Sequence, residues 1–206
     1  MTGIVVYIEG GSNRTADVEF RQAFRSFFND LIELAKLRNV PFKLMLVGSR
    51  EDTFRKFRHE AERDRQTFHV LLVDSETEVN EFGKCWKHLK ESDGWDCPAG
   101  VHDTQCHLMV VAMEAWFFAD VEALAAHYGQ GFKKNALPKT QNVEQIPKQK
   151  HLESLKAAVK ETTKGRYDKF ADAPKILARL KTNIVRSRAP HCERLFTTLT
   201  NKINGV

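Results

Sequence analysis

Three acidic residues are the positions in this sequence best suited to chemistry. Asp74 and Glu76 follow the apolar run 68–73, and Glu9 follows the apolar run 3–8. Asp-x-Glu can direct two oxygen ligands at one hard cation such as Mg²⁺ or Mn²⁺, and a third carboxylate can complete the site or carry a proton. Because Mg²⁺ also binds substrate phosphates, the pattern predicts a phosphate-bearing partner. The alternative is that Asp74 and Glu76 only cap the turn after their strand.

A second pair of acids lies in the segment 113–126, which the sequence predicts as one helix. At about 100° per residue, Glu114 and Asp120 fall inside the apolar arc of that helix. A carboxylate on an apolar face is costly unless it is paired or coordinates a metal. Glu114 and Asp120 are therefore candidate metal ligands or supports for such ligands, and the competing interpretation is a salt bridge to Arg21 or Arg25.

The charge of the chain is unevenly divided. Residues 1–128 contain 15 Lys and Arg and 21 Asp and Glu, whereas residues 129–206 contain 17 and 6. The runs 164–169 and 186–191 place cations at helix ends and turns, where they can meet phosphates together with backbone N–H groups. Lys-rich surfaces are usually only solvated, but a basic segment beside an acidic ion site favours nucleic acid as partner. The candidate phosphate-binding residues are Arg50, Lys164, Arg166, Lys169, Arg186 and Arg188.

The elements that must position these residues follow from the apolar pattern. Runs at 3–8, 42–47 and 68–73 predict buried strands, with amphipathic helices between them at about 18–37 and 51–65. This alternation is typical of a parallel sheet covered by helices on both faces. The carboxyl ends of parallel strands meet at one edge, so the acids that follow the first and third strands should lie together there.

The rest of the chain is less regular. After the first strand a turn is predicted at Gly10 and Gly11, residues 77–106 form a long loop typical of a lid or interaction element, and 107–112 supply a fourth strand. Short helices are predicted at about 149–163, 173–183 and 190–203. We expect an α/β domain over residues 1–128 and a small basic helical subdomain over residues 129–206.

Composition excludes some classes of protein. No segment approaches the ~18 apolar residues of a membrane span, and the start lacks the basic region of a signal peptide, so we expect a cytoplasmic protein without a membrane partner. The four cysteines are expected to be thiols. Three of them, at positions 85, 97 and 106, lie near His88, His102 and His107, which suggests zinc, but the spacing lacks the regularity of structural zinc motifs.

The runs around these acids resemble a known fold family. Residues 4–10 together with 70–76 resemble the Toprim (topoisomerase–primase) domain, whose signature is Glu after the first strand and Asp-x-Asp after the third; here Glu76 replaces the second Asp. Longer runs are similar to a bacterial Toprim-like family known as domain of unknown function 4276. Those runs lie at 48–50, 105–109, 113–120, 146–148 and 164–169.

The resemblance implies a Rossmann-like fold and a chemistry. Toprim domains use their acidic cluster with Mg²⁺ to cut, join or extend nucleic-acid backbones. Members of the more similar family are found beside ABC-type ATPases in antiphage loci, which implies an effector nuclease with an ATPase partner.

Three hypotheses of function follow. The first is a Mg²⁺- or Mn²⁺-dependent nuclease with Glu9, Asp74 and Glu76 as catalytic and metal-binding residues. The second is a non-catalytic or regulatory subunit that binds an ATPase and nucleic acid, which the loop at 77–106 and the substitution at Glu76 motivate. The third, a phosphohydrolase for small molecules, is disfavoured because haloacid-dehalogenase-like enzymes carry Asp-x-Asp where this chain has Glu9. DNA or RNA as substrate, and a homo-oligomer, are left open.

Overall fold

Four parallel strands form the sheet at the centre of the protein. The computed structural model describes residues 3–10 and 14–206, with side chains in the second range from residue 18 onward. The strands are β1 (Gly3–Glu9), β2 (Phe42–Gly48), β3 (Thr67–Asp74) and β4 (Cys106–Met109). Their order in the sheet is β2-β1-β3-β4, and every neighbouring pair is parallel. The predicted α/β class with a parallel sheet is confirmed.

Helices cover both faces of this sheet. They are α1 (Arg14–Phe27), α2 (Asn29–Leu37), α3 (Arg50–Arg63), α4 (Cys85–Asp93), α5 (Ala115–Ala119), α6 (Val121–Tyr128), α7 (Lys148–Val159), α8 (Ala173–Leu177), α9 (Thr182–Arg188) and α10 (Pro190–Asn204). Three 3₁₀ turns lie at Asp103–Gln105, Lys134–Ala136 and Val143–Gln145.

Alternate side chains of each strand enter opposite apolar layers, as the two-residue period of a strand requires. Ile4, Val6 and Ile8 pack with α1, α2 and the C-terminal helices, whereas Tyr7 packs with Phe57 of α3 on the other face. The strands are thus buried on both faces, which explains why their sequences are continuously apolar rather than alternating.

The helices of the C-terminal third belong to the larger of these layers. Phe196 of α10 stacks on Phe28 with ring centroids 5.2 Å apart and meets Phe27 edge-on at 5.7 Å. The hydroxyl of Thr182 donates to the carbonyl of Phe27 at 2.8 Å. Apolar residues from both sides of residue 128 therefore share one cluster. The division into domains at 1–128 and 129–206 stays a prediction.

Several elements differ from their predicted bounds. The helix expected over 18–37 is two helices that meet at Phe28, and the helix expected over 113–126 is broken at Asp120. Asp120 follows α5 and caps α6 by accepting a hydrogen bond from the N–H of Ala123. An aspartate inside an apolar segment was therefore the sequence signal for the start of a second helix. Gly11 of the predicted turn lies outside the described residues.

The predicted loop at 77–106 also contains regular structure. Helix α4 forms within it and buries Trp86 and Leu89 against α3 and β4. It ends at Gly94, which adopts the left-handed conformation (φ 73°) that favours glycine at helix C-termini. Nine residues carry too few apolar repeats for the helical period to stand out in the sequence.

Among the helices that the structure describes, none has the length and apolar character needed to cross a membrane.

We predict that Phe196→Ala destabilises the entire protein. The side chain is 1% exposed, and removing a buried phenyl group costs about 3–5 kcal/mol of unfolding free energy. Urea denaturation followed by circular dichroism measures it, and Phe82→Ala, at a side chain 62% exposed, is the control with a cost below about 1 kcal/mol. A two-step transition in which only one step moves would contradict the shared core and support separate domains.

Candidate metal centre

The three predicted carboxylates meet at the carboxyl edge of the sheet. Glu9 is the last residue of β1 and Asp74 the last of β3, and these two strands are neighbours. Glu76 follows two residues after β3. One carboxylate oxygen of each residue lies within 4.8 Å of the other two. This spacing would let all three reach one hard cation.

Asp74 is the most buried member of this carboxylate cluster, with 8% of its surface exposed. Its Oδ1 accepts a hydrogen bond from the N–H of Met113 at 2.9 Å, and its own N–H donates to the Glu9 carboxylate at 3.1 Å. Burial, followed by the charges of Glu9 and Glu114, raises the pKa of Asp74 to about 8. Without a cation in the cluster, Asp74 therefore holds a proton at neutral pH.

Arg50 connects the cluster to the rest of the protein. Its Nε and Nη2 donate to the two oxygens of Asp93 at 2.7 and 2.8 Å, and its Nη1 donates to Glu9 at 3.3 Å and to the carbonyl of Asp74. The guanidinium also lies 5.1 Å from the ring centre of Trp95. Arg50 thus positions the carboxylates, and its predicted role as a phosphate ligand stays a prediction.

Burial and neighbouring charges together set the pKa values of Glu9 and Arg50. Burial raises the pKa of Glu9, and the neighbouring Arg50 and the N–H of Asp74 oppose that rise. Burial alone would lower the pKa of Arg50, but its hydrogen bonds to Asp93 and the charge of Glu9 raise it. Arg50 therefore stays charged and favours an ionised Glu9.

The position of Arg50 follows from local sequence. Ser49 caps α3 by accepting a hydrogen bond from the N–H of Asp52 at 3.2 Å, so Arg50 is the first residue of the helix. Since β2 ends at Gly48, the helix starts directly at the carboxyl edge.

Glu76 occupies an unusual backbone conformation. Its φ is 65°, which non-glycine residues seldom adopt, and its N–H donates to the carbonyl of Val111 at 2.9 Å. Such residues cluster at functional sites, where the surrounding structure enforces them. Its carboxylate forms an ion pair with Lys148, the first residue of α7.

Glu114 is buried beside the cluster. Its Oε1 accepts a hydrogen bond from the hydroxyl of Tyr167 at 3.2 Å and lies 3.4 Å from Nζ of Lys169. The salt bridge that the sequence suggested to Arg21 or Arg25 therefore forms with a lysine of the C-terminal third. Glu114 remains a candidate to support a metal, because its charge acts on the cluster.

Lys169 faces several of these acids at once. Burial alone would lower the pKa of Lys169, but Glu114, Asp74 and Glu9 together raise it, so its ammonium group stays charged. Lys148 and Tyr167 were not predicted as site residues. The signal that could have found them was their presence in the similar runs 146–148 and 164–169.

The structure places Asp120 away from this cluster. Its Oδ1 accepts from the N–H of Ala123 at 3.2 Å and its Oδ2 from the N–H of Lys181 at 2.9 Å. Within the described residues, the group able to hold a metal consists of Glu9, Asp74 and Glu76. Asp120 is buried where it caps α6 and holds the segment before α9, and its predicted role as a metal ligand stays a prediction outside the cluster.

Besides Lys169, two more of the predicted phosphate-binding residues lie in the loop before α8. Lys164 donates to Asp172 at 2.7 Å and lies 2.8 Å from Nε2 of His127, so its charge is partly engaged. Arg166 is exposed. Both are accessible enough to meet a phosphate, and their role stays a prediction.

The two arginines near α9 are bound within the protein. Arg186 forms two hydrogen bonds with Glu193, at 2.6 and 2.9 Å. Arg188 donates to the carbonyl groups of Phe118 and Ala119, at 3.1 and 2.8 Å. These contacts hold α9 in place and leave these guanidinium groups fewer donors for phosphate.

The suggested zinc site does not form among the described residues. Cys85 and Cys106 are buried whereas Cys97 is exposed, and the group of described residues whose ligand atoms lie close enough to hold a metal ion is the acidic cluster. His88 instead contacts the carbonyl of Ser75 through Nε2 at 2.9 Å, which supports the turn between the two acids after β3.

A cavity of about 280 Å³ opens beside the acids. Glu9, Asp74 and Lys169 line it together with the apolar side chains of Phe20 and Phe24. The carboxylates are therefore accessible from one side while packed on the other.

A parallel sheet with helices on both faces and acids at its carboxyl edge is the arrangement of a Rossmann-like α/β protein. The chain belongs to the family described as Domain of unknown function (DUF4276), whose model matches residues 8–200. The predicted family is thereby confirmed. No curated protein and no solved structure matches the chain.

We predict that Asp74→Asn stabilises the protein without metal, whereas Asp120→Asn destabilises it. The first change removes a carboxyl group whose ionisation is unfavourable yet keeps the acceptor for Met113, and should raise the free energy of unfolding by more at pH 8 than at pH 4. The second turns an amide NH₂ toward a backbone N–H and should remove about 1–3 kcal/mol. Urea denaturation in the presence of a chelator measures both.

The benefit of Asp74→Asn should depend on pH. Between the usual carboxyl value of 3.8 and about 8, folded Asp74 keeps a proton that the unfolded chain releases, so the wild type loses stability as pH rises through this range. The difference between variant and wild type should grow from pH 4 to 8 and then level off. A difference independent of pH would contradict the buried, protonated state.

Proposed function

We propose that the protein is a Mg²⁺- or Mn²⁺-dependent nuclease that cleaves phosphodiester bonds of DNA or RNA. The observation that carries the proposal is the convergence of Glu9, Asp74 and Glu76, with oxygens within 4.8 Å, at the carboxyl edge of a parallel sheet. Ligands of open α/β sheets bind at this edge. The cluster alone would suit any phosphate chemistry; the Toprim resemblance favours nucleic acid.

The donor set fits a divalent cation. All three groups are hard carboxylate oxygens, the ligands that Mg²⁺ and Mn²⁺ prefer. Burial and the charges of Glu9 and Glu114 raise the pKa of Asp74, and Lys169 offsets only part of this rise. A bound divalent cation would supply that compensation and polarise a phosphate oxygen.

Each residue of the site would have a separate role in phosphodiester cleavage. Asp74 and Glu76 would hold the cation. Glu9, fixed by Arg50 and the N–H of Asp74, would hold a second cation or take a proton from attacking water. Lys169 would bind the substrate phosphate, because its charged amine faces the acids across the cavity.

The cellular setting is proposed from the family resemblance. We expect a cytoplasmic effector of an antiphage system, restrained or delivered by an ABC-type ATPase partner. Incubation of plasmid, single-stranded DNA and tRNA with the protein, with and without the neighbouring ATPase, would separate autonomous from partner-dependent cleavage.

We predict that Glu9→Gln and Asp74→Asn each reduce cleavage with Mg²⁺ or Mn²⁺ by at least about 100-fold, since even groups that only support metal ligands contribute about 10–100-fold. Initial rates on a labelled oligonucleotide measure this. Glu122→Gln is the matched control, because Glu122 is an exposed carboxylate paired with Lys134 outside the cluster. Persistent cleavage by a folded Glu9→Gln or Asp74→Asn protein would refute the assignment.

A second candidate function is a non-catalytic subunit that binds the ATPase and nucleic acid. The observation that favours it is that Arg50, Lys148 and Lys169 already pair with acids of the site. Under this alternative the cations neutralise the acids permanently. Calorimetric titration with Mn²⁺ decides: no saturable binding, together with a stable ATPase complex, would favour the second function over the first.

A further inference from the structure

A second cavity lies next to the carboxylate cluster. It has a volume of about 270 Å³ and lies between α7 and the segment that carries Tyr167 and Lys169. Leu152 and Leu155 of α7 form its apolar wall. Pockets for drug-sized ligands span roughly 300–1,000 Å³, so this cavity suits a smaller group.

Three charged residues connect this cavity to the acids. Lys148 lines it and pairs with Glu76, and Glu114 lines it beside Asp74. Lys169 lines both this cavity and the one in front of Glu9. A ligand in the second cavity would therefore be one side chain away from the carboxylate cluster.

The wall also contains an unused hydrogen-bonding atom. His151 is 4% exposed, and its Nε2 contacts the carbonyl of Ile146 at 3.0 Å. Burial lowers the pKa of His151, so the ring is neutral, Nε2 donates and Nδ1 is an acceptor. This Nδ1 has no hydrogen-bond partner among the described residues. The Nδ1 atom itself is buried, so a ligand N–H group would pair with it only after the ring turns toward the cavity.

The cavity combines properties that match one chemical unit. A nucleobase is flat, has apolar faces and carries N–H donors at its edge, whereas the attached phosphate is anionic. The leucines suit the faces of the base, and the amines of Lys148 and Lys169 suit the phosphate.

We propose that this cavity binds the base of a nucleoside phosphate whose phosphate group lies at the carboxylate cluster. The proposal rests on the proposed nuclease function and adds the substrate class to it. Because the cavity is concave, a base can enter only when it is not paired with a complementary strand. Single-stranded or locally unpaired nucleic acid is therefore the substrate.

The test compares ligands with and without a base. Calorimetry of the wild type, with Ca²⁺ replacing Mg²⁺, should show adenosine 5′-monophosphate binding about tenfold or more tightly than ribose 5-phosphate. Leu152→Trp should abolish this preference by filling the mouth of the cavity, since Leu152 is 45% exposed and lies outside the core. Leu37→Trp, at a leucine 77% exposed on α2, is the matched control and should keep it.

Comparison of oligonucleotides of increasing length distinguishes a nucleic-acid ligand from a free nucleotide. A single-stranded tetranucleotide that binds more tightly than the mononucleotide indicates a nucleic acid, and the reverse order indicates a free nucleotide. Equal binding of adenosine monophosphate and ribose 5-phosphate, or equal effects of the two tryptophan variants, overturns the proposal even if cleavage is observed. Base-dependent binding without cleavage under any condition would keep the cavity assignment and reject the nuclease.

Discussion

Repulsion among four carboxylates at one edge of the sheet is the constraint around which this structure is organised. Glu9, Asp74 and Glu76 have carboxylate oxygens within 4.8 Å of one another, and the charge of Glu114 acts on Asp74. Asp74 and Glu114 are buried, Glu9 is partly buried and Glu76 is exposed. The raised pKa of Asp74 favours its protonated form, which reduces the repulsion. Cations from separate elements pair with the other acids: Arg50 from α3, Lys148 from α7 and Lys169 from the loop before α8. Titratable residues whose pKa values are shifted by burial together with specific charged partners cluster at functional sites.

The contacts of the lysines and arginines in the C-terminal third show how much of its positive charge is engaged within the protein. Arg186 and Arg188 hold α9 to its neighbours, and Lys164 is partly committed to Asp172. Lys148 and Lys169, by contrast, meet acids of the first 128 residues. Two of these cations therefore compensate acids of the site and several others are engaged in contacts elsewhere in the protein, so the free cationic surface is smaller than a count of lysines and arginines suggests.

The parts predictable from sequence were those set by strand pattern and strand direction. Glu9 and Asp74 could be placed together because parallel strands end at one edge, which holds for any such sheet. Glu114 and Asp120 looked equivalent, since both fell on the apolar face of one predicted helix. Their environments differ because the helix breaks at Asp120, whose two carboxylate oxygens accept hydrogen bonds from backbone N–H groups. Contacts such as Lys148 with Glu76 join residues 72 positions apart, and no local pattern encodes such a pairing.

The distribution of the compensating cations along the chain has a consequence for biosynthesis. All the strands and all four acids precede residue 115, whereas Lys148 and Lys169 come later. A ribosome releases the chain from its N-terminal end, so a partly made molecule presents the acids without two of their counter-charges and without the wall that α7 supplies. Assembly of the acid cluster is thus coupled to synthesis of the chain through Lys169, because a copy that lacks α7 and the loop before α8 holds the acids without two of their counter-charges.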